Sequence, residues 1–243
     1  MFNKHQADLA FRQWLLTPLG AHLLAVEAAR INSIVPTLFG YNAVILGEPD
    51  YLAALTASPI KSKAIVTLRA ATCNVPLIRS RLDKLSILSD SVDLVYLAHC
   101  LEFASNPHEI LREAYRIMRP DGHILISMFN PFSIWGLWRN FAKFSGNSPW
   151  SANFMSLVRL KDWLALLGFD IMRVNHFGYC WPVKKCDTVT RQTKAEYYGQ
   201  KLELPCGAAY VVEASKRVIA FTPIKPIWTE PEIISDDLAE PTV

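Results

Sequence analysis

His99 and Glu102 stand three residues apart, directly after an apolar run that ends at Ala98. An imidazole titrates near neutral pH, so a histidine placed there suits proton removal from an acceptor hydroxyl. The same pair would serve equally well as a cap between a strand and the helix that follows, and both readings stand. A second group surrounds Gly47, where Glu48 and Asp50 share one short segment with Pro49 and Tyr51. These residues directly follow an apolar burst, the place where ligands of α/β sheets bind. Asn130-Pro131 offers a side chain to an acceptor site or simply begins a turn, the second being the commoner use of Asn-Pro. Phe132, Trp135, Trp138, Phe141 and Phe144 recur at helix-like spacing, with Arg139 and Lys143 between them. Three readings fit that stripe: a lid on its own domain, an apolar acceptor pocket, or a helix touching a membrane surface. Cys180, Cys186 and His176 lack metal-ligand spacing and read as isolated residues.

Composition narrows what these groups can serve. The chain has 243 residues, 51% of them hydrophobic and 19% charged, with a formal net charge of +3. A chain this long buries roughly 70–75% of its unfolded surface, enough for a substantial core. The near balance of charge argues against a nucleic-acid binder, which would gather Lys and Arg on one face. Five cysteines in scattered positions, none with two-residue spacing, read as reduced thiols of a cytoplasmic protein. Trp14–Val26 is apolar, but Asp8 and Arg12 precede it, Pro18 and His22 interrupt it and Glu27 follows. A helix fits better than a signal peptide.

The elements that must position these residues follow from periodicity. Residues 9–39 read as helical, with Thr17-Pro18 as N-cap and first helical residue. Asn42–Gly47, Ala64–Leu68 and Val92–Ala98 are short apolar bursts of the kind buried on both faces of a parallel sheet. Pro49–Ala57 suits a short helix. Asn106-Pro107-His108-Glu109 resembles a capping box, and Ile110, Leu111, Ala114, Ile117 and Met118 form the apolar stripe of the next helix. Pro120-Asp121-Gly122 reads as a turn and His123–Phe129 as a strand, completing a βαβ unit. Leu160, Trp163, Leu164 and Leu167 mark another helix, stopped by Gly168. Phe169–Phe177 and Ala208–Arg217 read as strands, with Gly178–Cys206 an irregular insertion between them. In such sheets, ligands bind beyond the carboxyl ends of the strands. That directs attention to 47–51, 69–72, 98–102 and 130–133.

The segment Leu85–Pro131 resembles class I S-adenosylmethionine-dependent methyltransferases of the type-11 kind. Ser89-Asp90-Ser91-Val92-Asp93-Leu94-Val95 is similar to that family's D-x-S-F-D-x-V, and His99-Cys100-Leu101-Glu102 to its H-x-L-E. Pro107 with Leu111-Arg112-Glu113, then Arg116-Ile117-Met118-Arg119-Pro120-Asp121-Gly122, is similar to its P-x-x-x-L-R-E helix and R-V-L-K-P-G-G turn. The glycine-rich cofactor loop departs from the pattern. Only Gly47 survives, Ile45 stands at the acidic position, and Pro49 and Tyr51 replace later glycines. Tyr51 would add bulk where the cofactor lies. The second strand ends at Leu68-Arg69 rather than at an acid, and Arg81 stands where an aspartate often meets the adenine.

The resemblance implies a Rossmann-like α/β fold: a mostly parallel seven-stranded sheet, helices on both faces and an antiparallel last strand. It implies one methyltransferase-like domain over 1–222, with 9–39 as an N-terminal helical segment and 178–206 as the insertion, and an extended tail over 223–243. The implied cofactor is S-adenosyl-L-methionine, held by Gly47, Glu48, Asp50, Leu82, Asp83 and Ala98, with His99 and Glu102 at the catalytic position. The implied reaction is methyl transfer to a small or apolar acceptor. The altered glycine loop also motivates an alternative, an inactive pseudo-methyltransferase serving as a binding or regulatory module. Membrane contact through Phe132, Trp135 and Trp138 is the further partner expectation.

Overall fold

The protein is described by a computed structural model, which covers residues 4–67, 73–142, 150, 152–182, 189–202 and 204–217. Two N-terminal helices, α1 (Lys4–Leu15) and α2 (Pro18–Asn32), precede strand β1 (Asn42–Leu46). The Thr17 hydroxyl accepts the Gly20 N–H at 3.2 Å, so the expected cap forms, with Pro18 opening α2. A 3-10 helix (Pro49–Leu55), β2 (Ser62–Thr67) and the short β3 (Leu77–Arg79) follow, then β4 (Val92–Ala98), α3 (Pro107–Ile117) and β5 (Met118–Phe129). The chain continues through α4 (Ile134–Ala142), α5 (Leu157–Leu166), β6 (Phe169–Phe177), α6 (Val189–Lys201) and β7 (Ala209–Lys216).

The seven strands form one sheet in the order β3-β2-β1-β4-β5-β7-β6. The first five are mutually parallel, and β7 runs antiparallel to both β5 and β6. Strand order reverses between β1 and β4, so a crevice opens where the connections after these strands diverge to opposite faces. The central strands are apolar on both faces because both are covered. Ile45, Tyr96, Leu125 and Val211 pack with α1, α2 and the 3-10 helix, whereas Leu46, Val95, Ile126 and Val212 pack with α3 and α5.

Three details differ from the sequence reading. Asn106 makes no side-chain cap to α3, and Glu109 pairs with Arg112 at 2.8 Å instead of reaching back. The residues read as the turn Pro120-Asp121-Gly122 lie inside β5: Met118 already pairs with Val92, and the ladder resumes at His123 opposite Leu94. Asp121 takes up the irregularity in the left-handed region, at φ +61. The Gly178–Cys206 segment is not wholly irregular, since it carries α6. That helix was hidden by a polar sequence with little apolar periodicity. The expected extended tail over 223–243, Phe144, Lys143 and Cys186 lie outside the described residues.

Candidate functional site

β1 ends by delivering Gly47 at φ +146, a backbone conformation L side chains rarely adopt. A Cβ at this position would lie 3.0 Å from the Ala98 carbonyl oxygen and 3.3 Å from the Ala98 Cβ. The turn is therefore pressed against the end of β4, and glycine is the residue that permits it. Pro49 then opens the 3-10 helix, where its fixed φ and missing N–H cost nothing.

That helix decides where Tyr51 goes. The phenol is 1% exposed and packs at right angles to Tyr96, with ring centroids 6.1 Å apart. It also lies 6.0 Å from the His99 ring. The sequence reading put its bulk in the cofactor's place; the structure turns it down into the core, and the crevice above stays open. Burial, with Glu27 and Glu102 close by, pushes its pKa well above the ordinary tyrosine value, so the phenol is neutral.

The crevice holds a cavity of about 510 Å³. Its walls come from the ends of three neighbouring parallel strands: Gly47 and Glu48 after β1, Val66 and Thr67 at β2, and Ala98, His99 and Cys100 after β4. Arg81, Leu82 and Asp83 form one side, Phe103–Asn106 and Ile110 another, and Phe11 of α1 closes over it. Five of the six residues expected to hold the cofactor meet here: Gly47, Glu48, Leu82, Asp83 and Ala98. Asp50, on the 3-10 helix, is not among the lining residues. Phe11, Val66, Thr67 and Ile110 escaped sequence reasoning. For Thr67 the available signal was its place as the last residue of a β-branched strand. Leu68 and Arg69, read as the altered ribose contact, lie outside the described residues.

Arg81 does not fill the crevice. Its guanidinium forks onto Asp83 at 2.8 and 2.6 Å, and this hydrogen bonding holds the Asp83 carboxyl below its ordinary pKa. The basic residue at the adenine position thus orients an acid two residues on.

His99 and Glu102 are both about 1% exposed. His99 sits on the cavity floor with φ +50, uncommon for a side chain of this kind. Its Nδ1 lies 3.0 Å from Glu102 Oε2 and its Nε2 lies 3.4 Å from Glu27 Oε2. Burial alone would lower the imidazole pKa, but Glu102 and Glu27 on either side raise it to about 10. Glu102 accepts the Phe129 main-chain N–H as well, and Glu27 accepts the Tyr96 hydroxyl at 2.6 Å. Burial raises the Glu102 pKa against the opposing pull of His99 and that N–H. The neighbouring Glu102 and Glu27 thus favour the protonated form of His99, and Glu102 lies behind it rather than on the cavity wall.

Other candidates are structural. Asn130 donates to the Pro205 and Gly207 carbonyls at 2.8 and 3.1 Å and accepts the Phe132 N–H, which is the turn reading. Trp135 is 1% exposed, donates to the Cys180 carbonyl at 2.8 Å and packs on Trp14 and Trp150. Its expected membrane contact is ruled out because it faces the core side of α4. Phe132 and Trp138 lie on the other side, 76% and 47% exposed.

Residues 39–126 match the family model described as a methyltransferase domain. The fold is the one that class I methyltransferases share. The methyltransferase described as a possible histamine N-methyltransferase from Thermotoga maritima superposes with a TM-score of 0.65 at 19% identity, covering 85% of this chain and 94% of that one. Geranyl diphosphate C-methyltransferase from Streptomyces coelicolor A3(2), solved with S-adenosyl-L-homocysteine, gives a TM-score of 0.55 at 15% identity, with 82% of each chain covered. Among curated sequences, the uncharacterized protein YafS of Escherichia coli K12 is 34% identical over 149 residues, 59% of this chain and 57% of that protein. The chain spans just over half the length of the curated relatives it matches, 57% and 56%. No helix among the described residues is long and apolar enough to cross a membrane.

Proposed function

We propose that the protein binds S-adenosyl-L-methionine in the crevice between β1 and β4 and transfers its methyl group to a small, apolar acceptor. The observation that carries this reading is the open cavity of about 510 Å³. It lies within the size range of small-molecule sites despite the altered loop. The lining residues fit the ligand. Val66, Leu82, Ala98 and Ile110 supply apolar walls for a flat base, Glu48 and Asp83 supply carboxylates for amino groups, and Gly47 lets the main chain come close.

Bound S-adenosyl-L-methionine supplies an electrophilic methyl group on sulfonium sulfur, which leaves as a thioether. His99 already holds a proton at neutral pH, so it does not act as the general base. With Glu102 it fixes the loop after β4 that forms the cavity floor. Phe11 and Phe103 exclude water from the mouth and favour an apolar acceptor. What remains for catalysis is alignment, which on its own contributes several kcal/mol to such displacements.

Calorimetric titration with S-adenosyl-L-methionine tests the reading, with micromolar binding expected. Gly47→Val should abolish the heat, because its Cβ meets the end of β4 and its φ is unsuited to a side chain. Absence of heat at millimolar ligand would favour the module that keeps the fold and has lost the cofactor.

A second reading concerns α4. Ile134, Leu137 and Trp138 are exposed along one side of it and Phe132 just before it, and the sequence from Pro131 to Trp150 has no acid. Such a face suits the interface of a lipid bilayer. Sedimentation with vesicles containing phosphatidylserine should carry the protein down and leave the Leu137→Ser/Trp138→Ser variant in solution. Equal partitioning of the two would end this reading.

A further inference from the structure

The helix that closes the crevice also brings a charge to it. Arg12 Nε lies 3.5 Å from Glu48 Oε2, the Glu48 side chain being 9% exposed and that of Arg12 39%. Its neighbour Phe11 lines the cavity and packs on Phe103, with centroids 4.8 Å apart, and on His99 at 5.9 Å. The last turns of α1 therefore place a ring on the cavity wall and a guanidinium beside the cavity-lining Glu48. α1 precedes residues 39–126, so nothing in the matched family segment supplies this pair.

A carboxylate and a guanidinium side by side at a cavity rim mirror the charges of an α-amino acid, whose ammonium and carboxylate share one carbon. We infer that Arg12 and Glu48 together seat the amino-acid end of the cofactor, Glu48 taking the ammonium and Arg12 the carboxylate. This rests on the proposed cofactor. The planar fork of an arginine suits bidentate capture of a carboxylate, and a side chain that is partly exposed can turn from Glu48 to the ligand at little cost. Glu48, nearly buried, then exchanges one cationic partner for another rather than losing its partner. The N-terminal helix becomes part of the binding site.

The test compares S-adenosyl-L-homocysteine with 5′-methylthioadenosine, which has the same nucleoside and no amino-acid end, by calorimetry on the full chain. The wild type should prefer S-adenosyl-L-homocysteine. Arg12→Met should weaken that ligand about 10- to 100-fold, as expected for one charge-assisted hydrogen-bonding partner, and leave methylthioadenosine within about twofold. Arg12→Lys should recover part of the loss, which also shows that the fold tolerates change at this position. Unchanged binding of S-adenosyl-L-homocysteine by Arg12→Met, or equal weakening of both nucleosides, overturns the inference and leaves the proposed cofactor standing. A wild type that binds neither ligand removes both.

Discussion

At the scale of single residues, His99 shows how buried surroundings bear on the role that a motif's letters suggest. A histidine just past a strand reads as a base. Yet the two glutamates beside it favour the protonated ring, which is a poor proton acceptor. Its folded pKa, about 10, lies above the ordinary 6.5. The stability it contributes is thus full below about pH 6.5 and is lost as pH rises towards 10. Urea unfolding followed across that range should show a decline that is absent in His99→Ala. At pH 7, His99→Ala should cost about 3–5 kcal/mol, because Glu27 and Glu102 are left buried without their cation. Tyr51 teaches the converse. Its type and position suggested an obstruction, but the direction of a side chain after a positive-φ glycine depends on the helix that follows, and spacing alone does not encode it.

At the scale of elements, the residues that carried the family resemblance mostly build the frame and seldom touch the cavity. Asp93 accepts the Tyr41 and Asn42 N–H groups at 2.8 and 2.9 Å, fixing the entry to β1. Glu113 accepts the Leu85 N–H at 2.8 Å, and Arg116 donates to the Leu85 and Ile87 carbonyls at 3.0 Å. One turn of α3 thereby clips the loop that leads back to Leu82 and Asp83. Glu113→Ala should lower stability by about 1 kcal/mol and weaken S-adenosyl-L-homocysteine binding as the loop loosens. Unfolding and titration of the same variant would read both effects, and an unchanged affinity would separate the clip from the site. These contacts explain why fold and site differed in legibility. Apolar bursts, the α3 stripe and Gly168 announce the strands and helices through local chemistry. β3 is only three residues long and follows Pro76, so no period marks it. Phe11, Arg12 and Thr67 reach the cavity only through the tertiary path of α1 and β2, which a linear pattern does not contain.

At the scale of the whole molecule, the sheet divides the labour. The ends of β2, β1 and β4 in its parallel half form the crevice, while its antiparallel half makes the far side. Lys216, at the end of β7, donates to Asp90 at 2.7 Å and to the Tyr115 and Met118 carbonyls at 3.0 and 2.7 Å. The last described strand is thus tied to the entry of β4 and to the junction of α3 and β5. β7 lies between β5 and β6 although it follows them both in the chain. During synthesis, then, β5 emerges from the ribosome with one flank unsatisfied and must wait some eighty residues, until β7 arrives, for its neighbour. The nascent protein carries an open hydrogen-bonding edge through that interval, a period in which strand-to-strand association with other chains competes with folding.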